Sequence, residues 1–185
     1  YEEAAAAIAS NVAGQEQQAT TTQDLKLEIE DVVFEMAADQ AVEVSRDSRG
    51  VTIEMKSGAF FKPGSAELRD KAIPVLEKMA LLLAAKKYAC FNIEVEGHTD
   101  DVPIKTALFP SNWELSAARA SRVTRYFITQ KLQSFRFRAI GLADTDPKVP
   151  NRDLEGKPIR ENQATNRRIQ LRLERMNLEQ QKRCD

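Results

Sequence analysis

Apolar and polar positions alternate along this chain with two periods, and the switches between them divide it into elements. From Asp24, the residues Leu25, Ile29, Val32, Val33 and Met36 recur at helical spacing while Glu28, Glu30, Asp31 and Glu35 face away. That spacing predicts an amphipathic helix over 24–40, with Asp24 as its N-cap, packing on the rest of the chain. Ala41–Ser45 and Val51–Met55 change to period two, and Arg46-Asp47-Ser48-Arg49-Gly50 between them supplies the turn of a hairpin. Phe60 and Phe61 read as core, and Pro63-Gly64-Ser65 breaks the pattern. Leu68, Ala72, Val75, Leu76, Met79, Leu82 and Leu83 then form the stripe of a long helix, with a first turn at 66–73 and a kink or restart at Pro74.

A strand is predicted at 91–96, where Ile93 and Val95 point one way and Glu94 and Glu96 the other, with Gly97 breaking it. Ser111 opens the next helix as N-cap, with Glu114 three residues on as its capping-box partner, and that helix runs to about Gln130. A short strand at 135–140 ends at Gly141. A long polar loop, 142–158, follows with three prolines; a loop of that length in a compact domain is functional or mobile. A short helix at 160–166 leads into a last strand, where Ile169, Leu171 and Leu173 alternate with Gln170 and Arg172. Strands and helices thus alternate, and the pattern supports a two-layer α+β or α/β sandwich with helices against one sheet.

The ends are different. Residues 1–23 are rich in Ala, Gln and Thr; Tyr1–Ala13 suits a helix without a stripe to bury, and Gly14–Gln23 reads as a polar linker. The tail 176–185 is polar, frayed or helical. Charged residues are 30% of the chain and balanced to a net charge of −1, which offers no basic footprint for nucleic acid. No run approaches the ~18 apolar residues of a membrane span. The first residue is Tyr, with no signal peptide, so the chain is expected to be cut from something longer. Cys90 and Cys184 make no framework; a bridge is geometrically open, and two unpaired thiols is the favoured reading.

Candidate chemistry concentrates at Glu96-Gly97-His98-Thr99-Asp100-Asp101 and at Ser111–Ala120. The first places a polar loop at a strand end, and the second carries Arg119 two turns into a helix. A carboxylate and a guanidinium so placed can flank one ligand bearing both charges. Glu94, Glu96, His98, Asp100 and Asp101 also invite a metal reading. His98 is the only histidine, however, and no second ligand motif or nucleophile context accompanies it. Neither a cofactor nor a metal is expected, nor is catalysis.

These motifs carry a family resemblance. GHTDD followed by FPSNWELSAARA, and closed by Asn166-Arg167-Arg168-Ile169, resembles the OmpA/MotB peptidoglycan-binding domain in its MotB flagellar-stator branch, over about Val51–Leu173. Many family members keep a Gly shortly after the TD pair; here Asp101-Val102-Pro103-Ile104 and the insertion Lys105–Pro110 intervene, itself like the MotB branch. The resemblance implies an OmpA-like β-α-β-α-β mixed sheet over 41–175, with helices on one face and an N-terminal helical extension. It implies a non-catalytic wall anchor, with Asp100 and Arg119 holding the diaminopimelate of the stem peptide. Thr99, Asn112, Leu115 and Arg167 are expected around them. It further implies the periplasmic region of a single-pass inner-membrane stator subunit, with peptidoglycan and a MotA-like subunit as partners and a homodimer as the assembly. The alternative is an OmpA- or Pal-like envelope tether outside the motor, and a metal-dependent wall hydrolase is the reading from another class.

Overall fold

The computed structural model describes residues 2–184. Five strands form one sheet in the order β1-β2-β5-β3-β4, from β1 (Val42–Arg46), β2 (Gly50–Lys56), β3 (Phe91–His98), β4 (Phe137–Ala143) and β5 (Arg168–Arg175). All neighbours are antiparallel except β3 and β4, which run parallel across the crossover helix α4 (Asn112–Thr129). The mixed α+β sandwich expected from the pattern is the fold observed. The hairpin, β5 and α4 lie within a residue or two of their expected bounds.

The apolar halves of the period-two strands share one face. Ile93 pairs with Leu173 and Val95 with Leu171 across β3 and β5, while Ile53 pairs with Leu171 and Met55 with Ile169 across β2 and β5. These side chains are fully buried under Leu25 and Ile29 of α1 (Glu2–Glu35), Leu76, Met79 and Leu83 of α3 (Ile73–Leu83), and Val123 and Phe127 of α4. Each large apolar side chain so buried contributes ~1.5–3 kcal/mol. Phe60 closes α2 (Ser57–Phe60) and is core with Phe61, as expected.

The structure corrects several boundaries. Helix α1 is continuous through the stretch read as a linker and through Asp24, the expected N-cap. Residues 14–23 hold one Gly and no Pro, and their Gln, Glu, Ala and Thr do not stop a helix that Leu25, Ile29 and Val33 fix to the domain. No helical turn spans 66–69. Leu68 instead bridges Phe61 in extended backbone, a 3₁₀ turn covers Asp70–Ala72, and α3 starts at Ile73 with Pro74 in its first turn. The missing amide of a proline costs nothing there, because first-turn amides have no partner within the helix. Helix α5 is Arg160–Asn166, and the tail forms a short helix, α6 (Leu178–Gln181), capped by Asn177.

Cys90 and Cys184 are bonded as a disulfide with Cα atoms 5.5 Å apart, which corrects the reading of two unpaired thiols. The sequence separation of 94 hides the proximity. Met176 donates its amide to Cys90 O, and Asn92 Nδ2 donates to Gln180 Oε1, so the tail folds back on the start of β3. The same end is clipped by Arg136, which is buried and donates to Phe91 O, Leu83 O and Tyr88 O at 3.0, 2.8 and 2.8 Å. Burial pulls its guanidinium down to about 10.

Neither Gly97 nor Gly141 ends its strand, contrary to expectation. β3 continues to His98 and β4 to Ala143, with Gly97 and Gly141 paired in register. What these positions need is room. A Cβ at Gly97 would lie 2.1 Å from Ser116 O, and one at Gly141 would lie 2.6 Å from Ala117 N. Helix α4 therefore sits directly on the sheet backbone. Gly97→Ala is expected to push α4 away and to lower stability by about 2–3 kcal/mol. Urea unfolding would measure this, and an unchanged midpoint would contradict the contact.

Candidate functional site

The candidate site lies where β3 ends and α4 begins. Ser111 caps α4 by accepting from the Trp113 amide at 3.2 Å, and its hydroxyl donates to the Glu114 carboxylate. Ser116 is fully buried; its hydroxyl accepts from the Ala143 amide at 3.1 Å and donates to Trp113 O. Thr99 donates its amide to Ala143 O at 2.8 Å. These bonds join the end of β3, the end of β4 and the first turns of α4 into one block, and Arg119 projects from it.

Asp100 is buried, and each carboxylate oxygen has a partner. Oδ1 accepts from the Val102 amide at 3.0 Å, and Oδ2 is paired with Arg167 Nη1. Arg119 is 5% exposed. Its Nε donates to Ser65 O at 2.8 Å and its Nη2 to Lys62 O at 3.5 Å, and its guanidinium lies 5.1 Å from the centre of the Phe61 ring. Burial pulls Arg119 down to about 10; the positive charge of Arg167 acts in the same direction and Asp100 opposes both. The structure thus brings Asp100, Arg119 and Arg167 into one electrostatic cluster, two guanidiniums around one carboxylate.

The other expected residues take the following places. Thr99 is buried, and its hydroxyl donates to Asp100 O at 2.8 Å. Asn112 Nδ2 donates to Val102 O at 3.0 Å and Asp100 O at 3.4 Å, holding the loop against α4. Leu115 is buried on α4. In the insertion, Phe109 is buried while Leu108 is 75% exposed, and both line a groove of about 770 Å³ with Ser65, Arg122 and Arg125.

The long loop is ordered onto this site, a role the pattern left open. Asn166, fully buried, accepts from the Val149 amide at 3.1 Å and donates to Val149 O and Asn151 Oδ1. Arg152 Nε donates to Asp101 Oδ2 at 2.5 Å, and Gln163 Nε2 donates to Asp101 Oδ1 at 2.8 Å. Lys148 joins Glu43 and Glu54 on the outer sheet face. No local pattern points to Arg152 or Gln163, since both reach Asp101 across more than fifty residues.

The imagined metal cluster comes apart in space. Glu96 lies 3.3 Å from His98 Nε2 and accepts from Gln170 at 3.0 Å, whereas Asp100 turns to Arg167 and Asp101 to Arg152 and Gln163. The His98 hydrogen bond holds the Glu96 carboxyl below the usual range, while burial and that neighbouring carboxylate push Glu94 up. Among the described residues no three His, Cys, Asp or Glu side chains are placed to share a metal.

The fold belongs to a known class. The model of the OmpA family matches residues 60–161, and the chain belongs to that family. It is homologous to Motility protein B of Bacillus subtilis (strain 168), 30% identical over 150 residues that make up 80% of this chain and 54% of that protein. The chain spans about half the length of the curated relatives it matches. A MotB-like protein from Desulfovibrio vulgaris superposes with a TM-score of 0.76 at 30% identity, covering 88% of this chain and 96% of that one. The cell wall anchor of the T6SS from Pseudomonas aeruginosa superposes with a TM-score of 0.68 at 28% identity, covering 82% and 99%.

The Asp101 clamp gives a pH prediction. Burial raises this carboxyl, but hydrogen bonds from Gln163 and Arg152 outweigh it and leave a net lowering. A carboxyl lowered in the fold stabilises above its unfolded value, near pH 3.9, and that contribution is lost as pH falls through the folded value. The Arg152 Nε–H and Gln163 amide resonances are therefore expected to hold down to about pH 4 and shift below it. In Asp101→Ala they should already be shifted at neutral pH; wild-type resonances moving between pH 5 and 7 would contradict the assignment.

Proposed function

We propose that this domain is a non-catalytic anchor that binds peptidoglycan through the diaminopimelate of its stem peptide, and that it fixes a flagellar motor stator to the cell wall. The observation that carries the reading is the pair Asp100 and Arg119, opposite charges at the end of β3 and on α4, at the positions of the family's TD and LSxxRA motifs. The far end of diaminopimelate bears an ammonium and a carboxylate on one carbon. Asp100 accepts from the first, and Arg119 donates to the second from Nη1, which neither Ser65 O nor Lys62 O engages. Thr99 and Asn112 fix the loop that presents Asp100, Leu115 walls the pocket, and Arg167 stands at its rim. No covalent step is involved.

The homology to Motility protein B supports the stator role, with a MotA-like partner, a homodimer and a single inner-membrane span beyond this segment. The disulfide supports a periplasmic setting, since such bonds persist in oxidising compartments. A wall tether outside the motor is the second reading, favoured by the likeness to a secretion-system wall anchor. A transmembrane helix carrying a buried Asp upstream of Tyr1 would decide for the stator.

The test is co-sedimentation with diaminopimelate-type sacculi. Wild type is expected in the pellet. Asp100→Asn and Arg119→Ala, shown folded by circular dichroism, should stay in solution, because each strands a charge in a half-buried pocket at a cost of ~2–5 kcal/mol. Folded variants that pellet like wild type would sink the clamp, and released muropeptides would point to a hydrolase instead.

A further inference from the structure

The proposed clamp has a complication in its own geometry. The carboxylate oxygen that should receive the ligand's ammonium, Asp100 Oδ2, is already paired with Arg167, and Oδ1 is committed to the Val102 amide. Arg167 differs from Arg119 in how it is held. Its side chain is 42% exposed against 9% for that of Asp100, and Asp100 is the partner of its guanidinium among the described residues. Arg119 is buried on two carbonyls and the Phe61 ring, and is not bonded to Asp100. One guanidinium is therefore fixed, and the other is a solvent-edge arm resting on Asp100.

We infer that Arg167 is a built-in competitor for the ligand's ammonium, a specificity residue that makes binding an exchange. This rests on the anchor reading above. The ammonium displaces the Arg167 guanidinium from Asp100, while the ligand carboxylate settles against Arg119. The freed arm stays on a backbone that is pinned, because Arg167 O accepts from the Ser57 amide at 2.9 Å and Asn166 is locked into the long loop. It swings from its side chain alone, toward solvent, where that side chain is already 42% exposed.

Exchange sets the order of preference among ligands. An amine alone must evict Arg167 and then sits beside the uncompensated charge of Arg119. A carboxylate alone leaves the Arg167–Asp100 pair intact and lies between two guanidiniums. Only a ligand carrying both groups on one carbon satisfies Asp100 and Arg119 together, so Arg167 taxes the amine while tolerating the acid. Removing the arm lifts the tax from the first and takes a partner from the second.

The test uses two small probes of the same length, meso-diaminopimelate and pimelate, titrated by calorimetry into wild type and Arg167→Ala. Diaminopimelate is expected to bind Arg167→Ala about two- to fivefold more tightly, the factor by which a part-exposed ion pair depletes the competent state. Pimelate should bind it more weakly. Opposite shifts are the signature of exchange. If both probes weaken, Arg167 is an ordinary ligand contact; if neither moves, it is a structural residue; either result overturns the inference while the sacculus reading stands. No detectable binding of either probe at millimolar concentration overturns it as well. Should folded Asp100→Asn and Arg119→Ala pellet with sacculi like wild type, the anchor reading fails and this inference with it.

Discussion

The arrangement of this domain depends on one close approach, that of helix α4 to the backbone of two neighbouring strands. Gly97 on β3 and Gly141 on β4 stand side by side in register, and the Ser116–Ala117 backbone of α4 occupies the space their side chains would fill. Ser116 then completes the seat by bonding the Ala143 amide with its hydroxyl. Everything chemical follows from that seat. It fixes the height of α4 above the sheet, and so the depth at which Arg119 lies beneath the 62–65 segment. It also sets the distance from α4 to the loop at Thr99–Asp101, which Asn112 spans. An ordinary helix–sheet spacing would lift Arg119 out of reach of the Ser65 carbonyl.

The electrostatics of the site follow from how that buried guanidinium is neutralised. Arg119 does not fall onto Asp100; it is solvated by two main-chain carbonyls and an aromatic face. Carbonyl dipoles and a ring quadrupole lower the cost of burying the charge without cancelling it, so the guanidinium retains a demand for an anion. A direct buried pair of Arg119 and Asp100 would have quenched both groups. Keeping them apart, with Asp100 held instead by a half-exposed Arg167, preserves the two separate charges that the proposed zwitterion clamp requires.

Much of this was legible in the sequence, and what was not shares a physical reason. Period-two alternation located β2, β3 and β5, and the Ser111–Glu114 pair located the start of α4, because those signals are local. Local grammar assigns Gly97 and Gly141 to strand ends, whereas here each answers a helix that lies away from it in sequence. Of the kink or restart expected at Pro74, the structure has the restart, and the stripe reaching back to Leu68 is satisfied by an extended segment, not a helical turn. Likewise, the Cys90–Cys184 bond and the Arg152–Asp101 and Arg167–Asp100 pairs join residues tens of positions apart. Family motifs named Asp100, Arg119 and Arg167, but no pattern of spacing says which guanidinium holds the carboxylate.

Strand β3 ties these parts into one load path. Its first residues are held by the Arg136 clip and by the disulfide-bound tail, and its last lead into Thr99 and Asp100. Along its length it is hydrogen-bonded on both sides, antiparallel to β5 and parallel to β4. In the proposed anchor, force enters through α1, whose Leu25, Ile29 and Val33 are buried in the same core as the sheet, and leaves through Asp100 and Arg119. A ligand loop on a frayed strand would yield before the clamp did. One on a central strand fixed at its far end transmits load through many ladder bonds at once, so in the proposed anchor the weakest link would be the pairing of Asp100 and Arg119 with the ligand.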